Sequence, residues 1–129
     1  MGLFDKLFSG SNEPKQEDAT PWIDLNTLEQ LEMIKERSKT KTQFVFKHST
    51  RCGISRMVIS QFKRDYQLSE TEADLYYLDL LNYREISSAI AETFKVMHES
   101  PQLLIIKNGV VVANKSHGGI NELDLQKFV

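Results

Sequence analysis

The sequence predicts a single α/β domain, a four-stranded mixed sheet flanked by helices on both faces. Three observations predict it. Two apolar runs, residues 42–47 and 74–81, are each followed by a stretch with apolar residues at helical spacing. A strand–helix–strand unit of this kind closes as a right-handed parallel crossover. Further on, Leu103-Leu104-Ile105-Ile106 and Val110-Val111-Val112-Ala113 flank Asn108-Gly109, a strong hairpin signal that adds an antiparallel pair. The chain has 129 residues, 40% hydrophobic and 26% charged, which suits one ordinary soluble globular domain.

The elements follow in order. Residues 2–8 carry Leu3, Phe4, Leu7 and Phe8 at helical spacing, but seven residues are too few for a stable helix alone. Residues 9–20 have the composition of a flexible linker, so the domain is expected over 21–129 with residues 1–20 as a flexible N-terminal segment. Order should begin at Pro21-Trp22, with Trp22 packed on the domain edge. Asn26 is placed to cap a helix, with Glu29 as its capping-box partner. Leu28, Leu31, Met33 and Ile34 form the apolar face of that helix, which runs to about residue 39. After the first strand, Ile54, Met57, Val58, Ile59 and Phe62 mark a second helix ending near Tyr66. Leucine-rich 74–81 has competing helix propensity, and its tyrosines and position between two helices favour a strand. Residues 83–96 form a third helix with Ile86, Ile90, Phe94 and Met97 on one face. Beyond the hairpin, 115–119 reads as a polar loop, and Asn121 as the cap of a last short helix with Leu123, Leu125 and Phe128.

Charge and cysteine usage restrict the function classes. A net charge of −2 implies no broad basic surface for nucleic acid. No run reaches 18 apolar residues, so no membrane span is expected. The N-terminus lacks the apolar core of a secretory signal, and Lys6 stands where a myristoylation signal needs Ser or Thr. One cysteine cannot close an internal disulfide, which fits a reducing compartment such as the cytoplasm, or a thiol that pairs externally. His48, His98 and His117 show no metal-ligand spacing, and no metal is expected.

That cysteine carries the chemistry. Cys52 lies in Lys47-His48-Ser49-Thr50-Arg51-Cys52-Gly53-Ile54-Ser55, where the first strand stops and the second helix begins. A helix N-terminus offers free N–H groups and the positive end of the dipole, which favour a thiolate. Arg51 is adjacent, and Lys47 and Arg56 are close in sequence. Such surroundings lower thiol pKa values from about 8.5 to roughly 3.5–7.5. Cysteine at the carboxyl end of a strand in an open α/β sheet also stands where such sheets place their chemistry. Pro101 directly precedes the third strand and would lie opposite, with the Ser100-Pro101 bond either cis, as a fixed bend, or trans.

Cys52-Gly53-Ile54-Ser55 resembles the Cys-x-x-Cys of the thioredoxin superfamily, with serine at the second cysteine. The chain is more closely similar to the monothiol bacilliredoxins, the YtxJ-like family of the bacillithiol system. The residues that carry this are Lys47-His48-Ser49, Cys52, Ile54-Ser55, the run His98-Glu99-Ser100-Pro101-Gln102, Asn108-Gly109, and His117-Gly118 with Ile120-Asn121. Gly53 departs from a frequent proline, and Gly119 from a frequent acidic residue. The resemblance implies a thioredoxin-like fold and a thiol–disulfide oxidoreductase of redox homeostasis and the stress response. It implies that Cys52 removes bacillithiol, a co-substrate rather than a tightly bound cofactor, from S-bacillithiolated client proteins. A second low-molecular-weight thiol would then regenerate Cys52, because Ser55 cannot resolve the adduct. Arg51, Gly53, Ile54, Ser55 and Lys47 would line the site or stabilise the thiolate, with Ser55 either donating to the sulfur or capping the helix. Ser100 and Pro101 would hold the incoming chain as an added strand. His117, Gly118 and Gly119 would lie at the substrate, the glycines either receiving a carboxylate on their N–H groups or simply forming a tight turn.

Two alternatives belong to other classes. Cys-Gly-Ile-Ser also resembles the Cys-Gly-Phe-Ser of monothiol glutaredoxins, which carry an iron–sulfur cluster between two subunits, although their Thr-Val-Pro is replaced here by Glu99-Ser100-Pro101. The other is a non-catalytic binding module in which Cys52 is a passive target of thiolation.

Overall fold

The computed structural model describes residues 20–129. The amphipathic stretch 2–8 and nearly all of the expected linker 9–20 lie outside them. Five strands form one sheet: β1 (Trp22–Asp24), β2 (Thr42–His48), β3 (Ala73–Asp79), β4 (Gln102–Lys107) and β5 (Val110–Ser116). Their order is β1-β3-β2-β4-β5, parallel from β1 through β2 and antiparallel from β2 through β5. The expected four strands are thus five. Trp22-Ile23-Asp24 adds an edge strand too short to show a period in the sequence, held by pairing with Leu75, Tyr76 and Tyr77.

Three helices cover the sheet: α1 (Glu29–Arg37), α2 (Gly53–Asp65) and α3 (Arg84–Phe94). Side-chain alternation along β2 divides the core. Val45 faces α1 and α3, with Leu31, Ile34, Ile86 and Ile90. Phe44 and Phe46 face α2, with Val58, Ile59 and Phe62. Trp22 closes the edge of this second layer, stacked on Phe62 at 5.9 Å and edge-on to Phe46 and Tyr77.

Several boundaries differ from expectation for identifiable reasons. Asn26 does not cap α1. The Gln30 side chain reaches back instead, accepting from the backbone N–H groups of Asn26 and Thr27 at 2.8 and 3.0 Å. Lys115 and Ser116 belong to β5, paired with Leu103 and Gln102, where a loop was expected. The last helix is two 3-10 segments, His117–Glu122 and Leu125–Phe128, so Asn121 sits inside a turn and Asp124 caps the second segment. Leu28, Met33, Ile54, Met57 and Met97 are exposed and are not core, although each fits a helical apolar period. The Asn108-Gly109 hairpin forms as expected, with φ of 54° and 82° at its two central residues. Its N–H groups donate to the carbonyl and hydroxyl of Ser38, each at 2.8 Å, tying the hairpin to the end of α1.

Charge inside the core is placed unevenly. At one end of the sheet, buried Asp74 accepts from Gln43 at 2.9 Å and from Lys41 at 3.0 Å. At the other end, Lys47 is fully buried and its ammonium has no hydrogen-bond partner among the described residues. Burial pushes Lys47 from 10.5 down to about 8. At about 1.4 kcal/mol per tenfold change in proton affinity, holding that charge costs about 3 kcal/mol at neutral pH. The unfolded chain binds the extra proton between pH 8 and 10.5, so wild-type stability rises with pH across that window. Lys47→Met should therefore raise the urea unfolding free energy by about 2–3 kcal/mol at pH 7. The gain should shrink as pH rises past about 8, and a loss of stability at pH 7 would contradict it.

Candidate functional site

The site forms at the end of the sheet where β2 and β3 finish and β4 begins. Because β2 and β4 are antiparallel with Lys47 opposite Gln102, the residues after His48 and those before Gln102 share that end. The backbone of Leu80 donates to the His48 carbonyl at 3.1 Å and joins the ends of β2 and β3. From His48 the chain makes a tight turn closed by Cys52 N–H to the Ser49 carbonyl at 3.2 Å. Cys52 is the N-cap residue of α2, in extended conformation, and its own carbonyl accepts the first helical bond from Arg56. The thiol is free and half-buried. No side chain caps α2, and no acidic residue lies in its first turn, so the N–H groups of Gly53, Ile54 and Ser55 are left for the sulfur end of the site.

Ser55 is fully buried, one helical turn behind the sulfur. Its hydroxyl lies 2.8 Å from His48 Nδ1 and 3.1 Å from the backbone nitrogen of Ser49. The arrangement that satisfies every group has Ser49 N–H donating to Ser55 Oγ, and the Ser55 hydroxyl donating to an unprotonated Nδ1. Of the two roles open to Ser55, the hydroxyl serves neither the sulfur nor a simple cap; it locks the turn that carries Cys52. Burial holds the His48 imidazole below its usual 6.5; Asp79 pulls it upward, and Lys63 and Arg56 push it further down. The ring also contacts Tyr77 at 5.7 Å. The sequence places His48 in the motif and, without metal-ligand spacing, as a hydrogen-bonded structural residue, but does not name Ser55 as its partner. Its distinguishing signal was position: the last inward-facing residue of a buried strand, seven residues before a helical serine.

The other expected site residues divide into two groups. Gly53 and Ile54 are exposed beside Cys52, and Arg51 is exposed with no hydrogen bond or ion pair to a described residue. Lys47 is different. Strand alternation turns it to the face opposite α2, where burial first and the Lys47 charge second lower the His98 pKa. The Ser100-Pro101 bond is cis. Pro101 is buried, and its carbonyl accepts from His117 N–H at 3.0 Å, which brings the 117–122 turn to the same end of the sheet. Gln102 braces the approach to Pro101, accepting from Glu99 N–H and donating to the Met97 carbonyl. Ser100 makes no hydrogen bond to a described residue through backbone or side chain. His117 takes a φ of 57°, and exposed Gly118 follows it. Gly118 faces Gly53 and Arg56 across a groove, while Gly119 packs on Lys115. A smaller cavity of about 170 Å³, lined by Phe62, Tyr66 and Leu125, lies at the far end of α2, away from Cys52. Among the described residues, no three His, Cys, Asp or Glu side chains gather as a metal site.

The turn lock has a measurable signature. Ser55→Ala should cost about 1–3 kcal/mol in urea unfolding, because it strands Ser49 N–H and His48 Nδ1 in a buried site. The folded His48 resists protonation that the unfolded chain accepts, so stability should fall as pH drops below 6.5. His48→Asn should reduce that fall, and an unchanged pH profile would remove His48 from the account.

Comparison with known proteins agrees with this geometry. Residues 23–125 match the family model described as monothiol bacilliredoxin BrxC. A solved structure described as "A putative oxidoreductase with a thioredoxin fold" is 38% identical, with a TM-score of 0.69 over 83% of this chain and 92% of that one. The thioredoxin pre-protein of Schistosoma mansoni superposes at a TM-score of 0.61 with 22% identity, covering 85% of this chain and 100% of that one. Malassezia sympodialis thioredoxin superposes at 0.62 with 16% identity, covering 84% and 86%. The latter two show the fold alone. With the family match spanning most of the described residues, the chain belongs to the monothiol bacilliredoxin family and has the thioredoxin fold.

Proposed function

We propose that the protein removes bacillithiol from S-bacillithiolated proteins through Cys52. The family and fold support a thiol redox role. The observation that carries the reading further is the Cys52–Ser55 pair: a free thiol at the head of α2, with a serine held by His48 where a dithiol enzyme has its second sulfur. In the exchange, the Cys52 thiolate attacks the bacillithiol sulfur of the mixed disulfide. A Cys52–bacillithiol bond forms, the client–bacillithiol bond breaks, and the client thiolate leaves and takes up a proton. With no second thiol in the chain, a low-molecular-weight thiol must attack the adduct, leaving as a disulfide with bacillithiol and restoring Cys52.

The rest of the site supports a protein client. Ser100, with unpaired backbone groups beside Pro101, suits an extended client segment laid alongside it as an added strand. Ile54 and Met57 offer apolar contact on the Cys52 side. A lone thiol without a disulfide partner suits the reducing cytoplasm, in redox homeostasis and the stress response. No helix of the described residues is long and apolar enough to cross a membrane.

The test is to mix the protein with a bacillithiolated client and follow both masses after acid quench. The bacillithiol mass should appear on Cys52 as it leaves the client, and Cys52→Ser should abolish transfer. No transfer from this client, with transfer intact from a glutathionylated one, would overturn bacillithiol as the co-substrate.

A further inference from the structure

An open groove of about 710 Å³ runs beside α2, between that helix and the 117–122 turn. Gly53, Arg56 and Arg64 line it from the helix, and Gly118 and Asn121 from the turn. A Cβ at Gly53 or at Gly118 would meet nothing within 4 Å, so the groove is open at Gly53, the residue next to Cys52. Its charge is one-sided. Neither Arg56 nor Arg64 has a carboxylate partner among the described residues. Arg56 is nevertheless aimed: its guanidinium donates to the Thr50 carbonyl at 3.2 Å, which turns it back over the loop that carries Cys52. At about 1.5 Å per helical residue, Arg56 lies about 6 Å along α2 from Cys52 and Arg64 about 18 Å.

We propose that this groove is the subsite for a carboxylate of the low-molecular-weight thiol bonded to Cys52, and that Arg56 is its specificity-determining residue. The inference rests on the reading of Cys52 as an exchange thiol and adds what that thiol selects. A small thiol held by its sulfur at Cys52 spans the distance to Arg56 and not to Arg64. With the client laid on the Ser100 side, the groove is left to the low-molecular-weight half of the mixed disulfide, the half that Cys52 attacks and retains. A guanidinium anchored on one edge by Thr50 keeps its remaining N–H groups for a planar, bidentate carboxylate. Gly53 and Gly118 give the room for the body of the thiol between the sulfur and that contact.

The experiment uses one reporter peptide carrying either bacillithiol or uncharged 2-mercaptoethanol as its mixed disulfide. The second-order rate of adduct transfer to Cys52 is measured by mass for each, and the readout is their ratio. Any effect of a substitution on the thiolate itself enters both rates and cancels. Arg56→Leu should lower the ratio about tenfold, the worth of one charge-assisted contact, while Arg64→Leu should leave it within about twofold. Gly118→Leu should slow the bacillithiol arm by filling the groove. An unchanged ratio in Arg56→Leu, or an equal drop in Arg64→Leu, would overturn the subsite. If the unsubstituted protein transfers neither adduct, the exchange reading itself fails; transfer of both without dependence on Arg56 overturns only the groove.

Discussion

The hydroxyl of Ser55 holds the turn that carries Cys52. A strand that ends in His48 must hand over to a helix within four residues, and the residues of that turn, Ser49, Thr50 and Arg51, are polar. The turn therefore brings no hydrophobic anchor of its own. One buried oxygen fixes it instead, accepting from Ser49 and meeting His48 at 2.8 Å. The strand end, the turn and the first helical turn become one rigid piece, and Cys52 is held at its head. Serine here has a double consequence: it removes a second thiol from the chemistry and uses the vacated position as a structural clamp.

The electrostatics follow the same division. On the α2 face, cations near the sulfur are exposed, and Arg51 and Arg56 remain open to an incoming anion. On the opposite face, Lys47 is sealed in the core without a hydrogen-bond partner among the described residues, and its charge adds to the burial that lowers the His98 pKa below 6.5. Three cations close in sequence to Cys52 thus act in different places: strand alternation turns Lys47 to the face opposite α2, while Arg51 in the turn and Arg56 on the helix stay exposed.

That distinction marks how far the sequence could be read. The strand at 42–48, the Asn108-Gly109 hairpin and the junction at Cys52 were legible because each has a local cause: a buried apolar run, two residues that tolerate positive φ, and the sole thiol between two periods. The edge strand at Trp22 was not, since three residues carry no pattern and its partner lies some fifty positions away. Met57, Ile54 and Met97 fitted an apolar helical period and yet lie in solvent, because a period reports that a residue could face a core and not that a core reaches it. Pro101 opposite Cys52 followed from the order of strands and Ser55 from resemblance, while the His48–Ser55 contact and the turn of Arg56 toward Thr50 needed coordinates. Both are side-chain rotamer facts with no sequence period.

The most direct measurement is a crystal structure of the trapped Cys52–bacillithiol mixed disulfide. The account predicts the adduct lying outward past Gly53 and Gly118, with the Ser55 hydroxyl still bonded to His48. An adduct folded toward the sheet, or Ser55 released from His48 and turned onto the sulfur, would contradict it.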